Sequence, residues 1–293
     1  MRAVSRMKAA STSASADDRP IRIIGPTQSV AGLLSDGLTS LVRHKSLFVE
    51  MTMLRLKLRY KQSLLGWIWA VVPPLLLMAI YTLIFSNVIG LKTGGLPGAV
   101  FIFSGLIPWQ FFSTAISTAT AGIVTYRYLI SRCAFPREII PLSYVVSALF
   151  DLSIGILMLI ALMYYFGAKP TLHALYAFPI LGMLLGYSVA ASLCSSSFQA
   201  RFRDIGIAMP LFLQIMMFTT PTVYSSDYIP QNIRDIYFLN PLAILIDAFR
   251  QTVVLGMNPN LNEMIYCAVG SIICLILSYI LFKRLDATVA DVI

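Results

Sequence analysis

Residues 142–166 read LSYVVSALFDLSIGILMLIALMYYF, and the character of the whole chain is decided there. Asp151 is the only charge in these 25 residues. A helix on the surface of a soluble domain carries a charged or polar face, and this run has a single charge in 25 residues. About 20 mostly apolar residues carry a helix across the hydrocarbon of a bilayer, so the run reads as a transmembrane helix. Five further runs of this kind lie at 64–89, 100–124, 174–198, 205–224 and 263–282. The expected fold is an all-α membrane protein with six transmembrane helices spread over residues 64–284. Composition agrees. Of the 293 residues 58% are hydrophobic and 12% charged, against about 25% charged in soluble domains.

The net charge of +9 does not point to nucleic acid, because the cations sit between apolar runs and no nucleic-acid-binding motif accompanies them. Lys and Arg in short loops favour the cytoplasmic side of a membrane. The segment from Arg2 to Lys61 holds eleven of them. With Arg127, Arg132, Arg137, Arg201, Arg203, Lys283 and Arg284, the connections assigned inside hold eighteen and the opposite ones four. Both termini are therefore expected in the cytoplasm, which requires an even number of crossings. Residues 1–40 read as a partly disordered cytoplasmic tail, without the apolar core of a signal peptide. Residues 285–293 read as a second tail.

Two segments between these parts are informative. Within 41–63, the stretch HKSLFVEMTMLRLKLRYK at 44–61 interleaves Leu47, Met51, Leu54 and Leu58 with Lys45, Arg55, Arg59 and Lys61. That suits an amphipathic helix in the inner membrane interface, its cations near anionic headgroups. The alternative is a solvated helix on a partner. Residues 226–262 are too apolar for a free outer loop. Their core, NPLAILIDAFRQTVVLG at 240–256, makes a helix of about 25 Å, short for a crossing. Asp247 and Arg250 stand three apart and can pair on one face. Outer re-entrant helices are expected here. The alternative, a seventh crossing, puts the basic C-terminus outside.

Catalytic chemistry has little to work with. No GxxxxGK[ST] phosphate loop occurs, so ATP hydrolysis is not expected in this chain. The four cysteines show no CxxC spacing, and neither a metal site nor a disulfide framework is indicated. His44 and His173 fall outside the apolar runs, and Ser195, Ser196 and Ser197 have no basic partner within them. An intramembrane enzyme is therefore disfavoured, and no catalytic residue is assigned. Asp151 is the intramembrane polar group to explain. A charge at mid-span is costly and faces a partner or a cavity. One carboxylate is too little for the proton relay of a secondary transporter. Trp69, Tyr81, Phe85, Trp109, Phe112, Phe218 and Tyr224 are candidates to line a path, since aromatic faces pack well on sugars. Interfacial anchoring accounts for many aromatics near the ends of spans.

Four stretches together resemble the membrane subunits of ABC polysaccharide and polyol-phosphate exporters. They are RYKQSLLGWIWAVVPPLLLMAIYTLIFSNVI at 59–89, FPREIIP at 135–141, RFRDI at 201–205 and NPLAILIDAFR at 240–250. Their order and spacing match as well, and the likeness covers roughly 40–285. Pro73 stands where that family more often shows Asn or Gln. The resemblance implies a permease subunit that exports lipid-linked polysaccharide, O-antigen first, with capsule, teichoic acid, drugs or lipids as alternatives. It implies a homodimer in the bacterial inner membrane, with ATP and Mg bound by two separate ATP-binding cassette subunits and no cofactor in this chain. The loop at 125–141 then corresponds to the coupling helix, with Phe135, Pro136, Arg137 and Glu138 at the ATPase contact. The helix ending in Arg55, Arg59 and Lys61 corresponds to the interface helix, where those cations would meet a lipid pyrophosphate.

Overall fold

The computed structural model describes residues 30–61, 66–90, 95–132 and 135–289. The expected tail through residue 29, residues 62–65, 91–94 and 290–293, and residues 133–134 of the expected coupling loop lie outside them. Among the described residues every regular element is helical. Helix α1 (Val30–Arg43) occupies part of the stretch expected as tail, where Leu34, Leu38 and Leu41 recur at helical spacing. Helix α2 (Lys45–Tyr60) follows at once. A 3-10 turn, Gly66–Ala70, leads into α3 (Val72–Tyr81). Pro73 and Pro74 stand in the first turn of α3, where their missing N–H groups cost no helical bond. A π-helical turn, Thr82–Val88, ends the segment.

The long helix α4 (Gly98–Thr120) runs into the short α5 (Gly122–Thr125) and α6 (Arg127–Arg132). Helix α7 (Ile139–Tyr165) returns, and α8 (Ala177–Arg201) comes back again behind a 3-10 turn, Leu172–Tyr176. Then come α9 (Ile205–Phe218), α10 (Gln231–Tyr237), α11 (Pro241–Val253) and α12 (Leu261–Val289). The main core lies between α4, α7, α8 and α11, with Phe103, Leu159, Leu184 and Phe249 inside it. Gly186 lets α12 approach α8 so closely that an added Cβ would collide with the Ser271 hydroxyl, the small-residue contact usual between helices in lipid.

Five helical segments among the described residues are long and apolar enough to cross a membrane: Ile68–Phe85, Gly98–Thr120, Ile139–Tyr165, Leu172–Arg201 and Leu261–Asp286. The run expected as a sixth crossing at 205–224 yields only α9, which has 14 residues. That is about 21 Å of helix, less than the roughly 30 Å hydrocarbon core. The helix stops because residues 219–224 turn away and are held elsewhere.

Arg250 holds them. It is 2% exposed and donates from Nη2 to the carbonyls of Pro221 (2.6 Å) and Thr222 (3.0 Å), and from Nη1 to that of Tyr224 (3.3 Å). Its Nε reaches the Ser104 hydroxyl at 3.3 Å, and its guanidinium lies 4.0 Å over the Phe101 ring. The expected partner Asp247 stands at 3.8 Å and accepts as well from Ser226 and Gln251. One cation thus ties the turn after α9 to α4 and α11. Asn240 starts α11 by accepting from the Leu242 amide at 3.0 Å, with Pro241 at the first helical position. Removing Arg250 strands three carbonyls and an acid. Arg250→Ala is expected to cost about 3–5 kcal/mol, read as a lowered thermal midpoint of the detergent-purified protein. Lysine lacks the planar fork, so Arg250→Lys is expected to fall between. Gly105→Ala should act in the same direction, because its Cβ would meet both the Thr222 carbonyl and Arg250.

Candidate functional site

The two ends of the bundle differ. The end bearing α2, α6 and the last turns of α12 is rich in Lys and Arg, and is called here the basic end. Between the two ends, on one flank, lies an open cavity of about 110 Å3 bounded by α3, α4, α7 and the tip of α2. Its walls are largely apolar, with Trp69, Pro74, Leu77 and Ile107 among them. Its polar edge is made by Arg59, Asp151, Gln110 and Thr114. Asp151 lies twelve residues into α7, about 18 Å from its start, and its carboxylate accepts from Arg59 Nη1. The charge expected to need a partner therefore has one. The Arg59 side chain remains 45% exposed and Asp151 22%.

This pairing explains how α2 sits. Arg55 is buried against α7 and Arg59 reaches across to Asp151, while Leu54 and Leu58 are turned outward, 45% and 55% exposed. The apolar stripe expected along Leu47, Met51, Leu54 and Leu58 is split. Met51 is buried and Leu47 packs beside it against Ile139 and Ile140. In lipid an outward leucine costs nothing and an inward cation gains a partner. Arg55 donates from Nε to the Ser143 hydroxyl at 2.8 Å, with its guanidinium over the rings of Tyr144 and Tyr126. Burial draws Arg55 down to about 10, so it is still a cation at neutral pH. It is enclosed by protein, whereas Lys61 is exposed.

Along α4 a polar stripe continues from the cavity toward the basic end. Gln110, Thr114, Ser117 and Thr118 recur at three- and four-residue intervals and are exposed or half-buried. Ser117 and Thr118 donate to the Thr114 carbonyl, and Gln110 donates to the Thr114 hydroxyl at 3.3 Å. Back-bonding of this kind lowers the cost of a hydroxyl in a membrane helix. It leaves oxygen lone pairs and one amide facing outward. The individual aromatics drew attention in the sequence. The stripe did not, although its signal was there: polar residues at helical spacing inside an apolar run.

The seven aromatic candidates do not form one surface. Trp69 is half exposed and lines the cavity. Tyr81, Phe85 and Tyr224 gather at the far end around Phe101 and Val223. Trp109 and Phe112 turn into the core, 4% and 5% exposed. Phe218 lies on the outer face of α9.

At the basic end the four residues 135–138 take unlike positions. Phe135 is half-buried against the Met51, Ile139 and Ile140 cluster, and Pro136 is half-buried too. Arg137 donates from Nη1 to the Asp286 carboxylate and to its carbonyl, both at 2.9 Å. Glu138 is 0% exposed and accepts at Oε1 from Lys283 Nζ at 2.7 Å. As the N-cap residue of α7, its carboxylate also lies at the positive end of that helix. Among the described residues of the loop, the exposed ones are Thr125 and, on α6, Arg127, Tyr128 and Arg132. Among the described residues no three His, Cys, Asp or Glu side chains gather as metal ligands would.

Residues 46–254 match the ABC-2 type transporter family. The O-antigen export system permease protein RfbA of Klebsiella pneumoniae is 30% identical over 250 residues, 84% of this chain and 95% of that protein. Its namesake in Myxococcus xanthus is 27% identical over 76% of this chain and 79% of its own length. The inner membrane transport permease YadH of Escherichia coli is 24% identical over 66% of this chain and 78% of its own length.

The exposure of Arg59 makes its bond to Asp151 a screened one. Arg59→Gln and Asp151→Asn are each expected to shift the thermal midpoint little. Their double-mutant coupling should stay below about 1 kcal/mol, measured on the purified protein.

Proposed function

The chain belongs to the ABC-2 type transporter family, and from that premise we propose that it is the membrane-spanning permease of an ATP-driven exporter of lipid-linked polysaccharide, O-antigen first. The single observation that carries this reading is the polar stripe on α4 beside a half-exposed ion pair. Gln110, Thr114 and Ser117 face outward from a helix long enough to cross a membrane. Lipid is a poor neighbour for such a face. A hydroxyl-rich polymer is a good one, since each sugar hydroxyl both donates and accepts.

Six crossings suit the packing better than five. The start of α7 and the end of α12 meet through Arg137 and Asp286, and α1 reaches α12 where Gly37 lies against Tyr279. Both ends of the chain then belong to one side, the cytoplasm by the distribution of cations. Helix α9 with residues 219–224 makes the sixth crossing, while α10 and α11 dip into the outer leaflet. The exposed faces of α3 and α9, with Leu76, Ile80, Ile207 and Leu211, receive a second copy of this chain. Two copies close the flank cavities into one conduit. Arg59 and Lys61 stand at the tip of α2 beside it, Arg59 at the level of Asp151, where a lipid pyrophosphate would be received. Two ATP-binding subunits dock against α6, and their closure drives the conduit open because the open and closed states bind ATP differently.

The test combines a deletion with point variants. Loss of this chain should remove one surface polysaccharide and leave its lipid-linked precursor inside the cell. Asp151→Asn, and Gln110→Leu with Thr114→Val, should lower export at least tenfold with the protein still present in the membrane. An unchanged surface glycan after deletion, with a drug or lipid retained instead, would replace the polysaccharide reading by one of those cargoes.

A further inference from the structure

The residues that the family resemblance sets against the ATPase leave a question of contact. Glu138 is fully enclosed, and Arg137 spends its guanidinium on Asp286. The two side chains are engaged within the chain. Both are bound to α12 at positions one turn apart, Lys283 and Asp286. Asp286 also lies within electrostatic reach of Lys283 and Glu138. The four groups thus form one network of two acids and two bases, and Tyr279 adds a hydroxyl 3.5 Å from Glu138.

The other end of α12 is tied as well. Tyr266 donates to the Leu239 carbonyl at 2.9 Å, and Cys267 approaches the Pro241 carbonyl at 3.8 Å. These carbonyls flank the Asn240 cap that starts α11, the helix whose Arg250 holds the turn after α9. Helix α12 has 29 residues, about 43 Å of unbroken rod. One rigid element therefore joins the coupling loop to the far-end helix pair, with polar attachments at both ends.

We infer that Lys283 and Asp286 are positioning residues for transport. Through Glu138 and Arg137 they fasten the coupling loop to α12, so that movement imposed on the loop is passed along α12 to α11 and the turn it holds. This rests on the reading of 125–141 as the ATPase-coupling loop. The loop supplies the docking face on α6, and the charge network supplies the grip.

The experiment uses membranes containing the chain together with its ATP-binding subunit. Asn258, exposed in the connection after α11, is replaced by cysteine in a chain whose Cys133, Cys194 and Cys274 are alanine, while Cys267, fully buried at its contact with Pro241, is kept. Its rate of reaction with a thiol reagent is measured with and without ATP, beside ATP hydrolysis and glycan export. In the parent an ATP-dependent change of at least threefold in labelling rate is expected. Lys283→Glu and Asp286→Arg should abolish that change and lower export at least tenfold, with ATP hydrolysis kept within twofold. The exchanged pairs, Glu138→Lys with Lys283→Glu and Arg137→Asp with Asp286→Arg, should restore the change and most of the export. If a charge reversal is not retained in the membrane, Lys283→Met and Asp286→Asn decide instead. A labelling change that survives in those variants overturns the inference. So does hydrolysis that falls in step with export and is not rescued by exchange. A labelling response without any glycan export by the parent would count against the proposed cargo and leave the α12 linkage standing.

Discussion

A charge inside a membrane-spanning bundle must find its partner within the protein, and three cations that do so organise this one. Arg250 gathers carbonyl oxygens at the far end. Arg59 meets Asp151 at mid-depth. Lys283 meets the enclosed Glu138 at the basic end. Each joins elements distant in sequence, and the two enclosed ones, at Arg250 and at Glu138, fix backbone that apolar packing alone would leave free to slide. Between helices in lipid the hydrophobic effect supplies no attraction, since lipid tails are as apolar as leucine. Close backbone approach at Gly105 and Gly186 and these polar ties therefore decide which helices touch and in what register.

The same constraint explains the inside-out look of the molecule. On α2 Arg55 is buried while Leu54 and Leu58 are turned outward. On the Ile68–Phe85 segment no residue is buried within the single chain, and α9 buries only Leu213. Those faces are apolar and can rest on lipid or on another helix. The exception is α4, largely buried yet carrying hydroxyl and amide groups along its one open face. By that contrast the open face of α4 is the one that lipid suits least.

Much of this was legible in the sequence, and what was not had physical reasons. Long apolar runs announce crossing helices because length and composition alone set the requirement. The pairing of Asp247 with Arg250 followed from their spacing on one helix. The carbonyl partners of Arg250 did not, since Pro221 and Thr222 reach it through folding rather than spacing. A run of apolar residues through 205–224 could not reveal that the helix ends at Phe218, because the stop is imposed by Arg250 from another element. Arg137 and Glu138 stood out by motif, whereas Lys283 and Asp286 looked like ordinary residues near the end of the chain. The polar stripe at Gln110, Thr114 and Ser117 was written at helical spacing, but each residue taken singly is common in membrane helices.

The central claim is that the open face of α4 borders an aqueous, glycan-conducting space and not lipid. Single cysteines at Thr114 and at Leu157 test it directly, because Thr114 is half-buried on the open face of α4 whereas Leu157 is the more exposed of the two on the isolated chain, so preferential labelling of Thr114 cannot come from its exposure there. In intact membranes containing the assembled transporter, a water-soluble thiol reagent should modify Thr114→Cys and leave Leu157→Cys untouched. Equal protection of both would place the stripe against lipid or sealed protein and contradict the account.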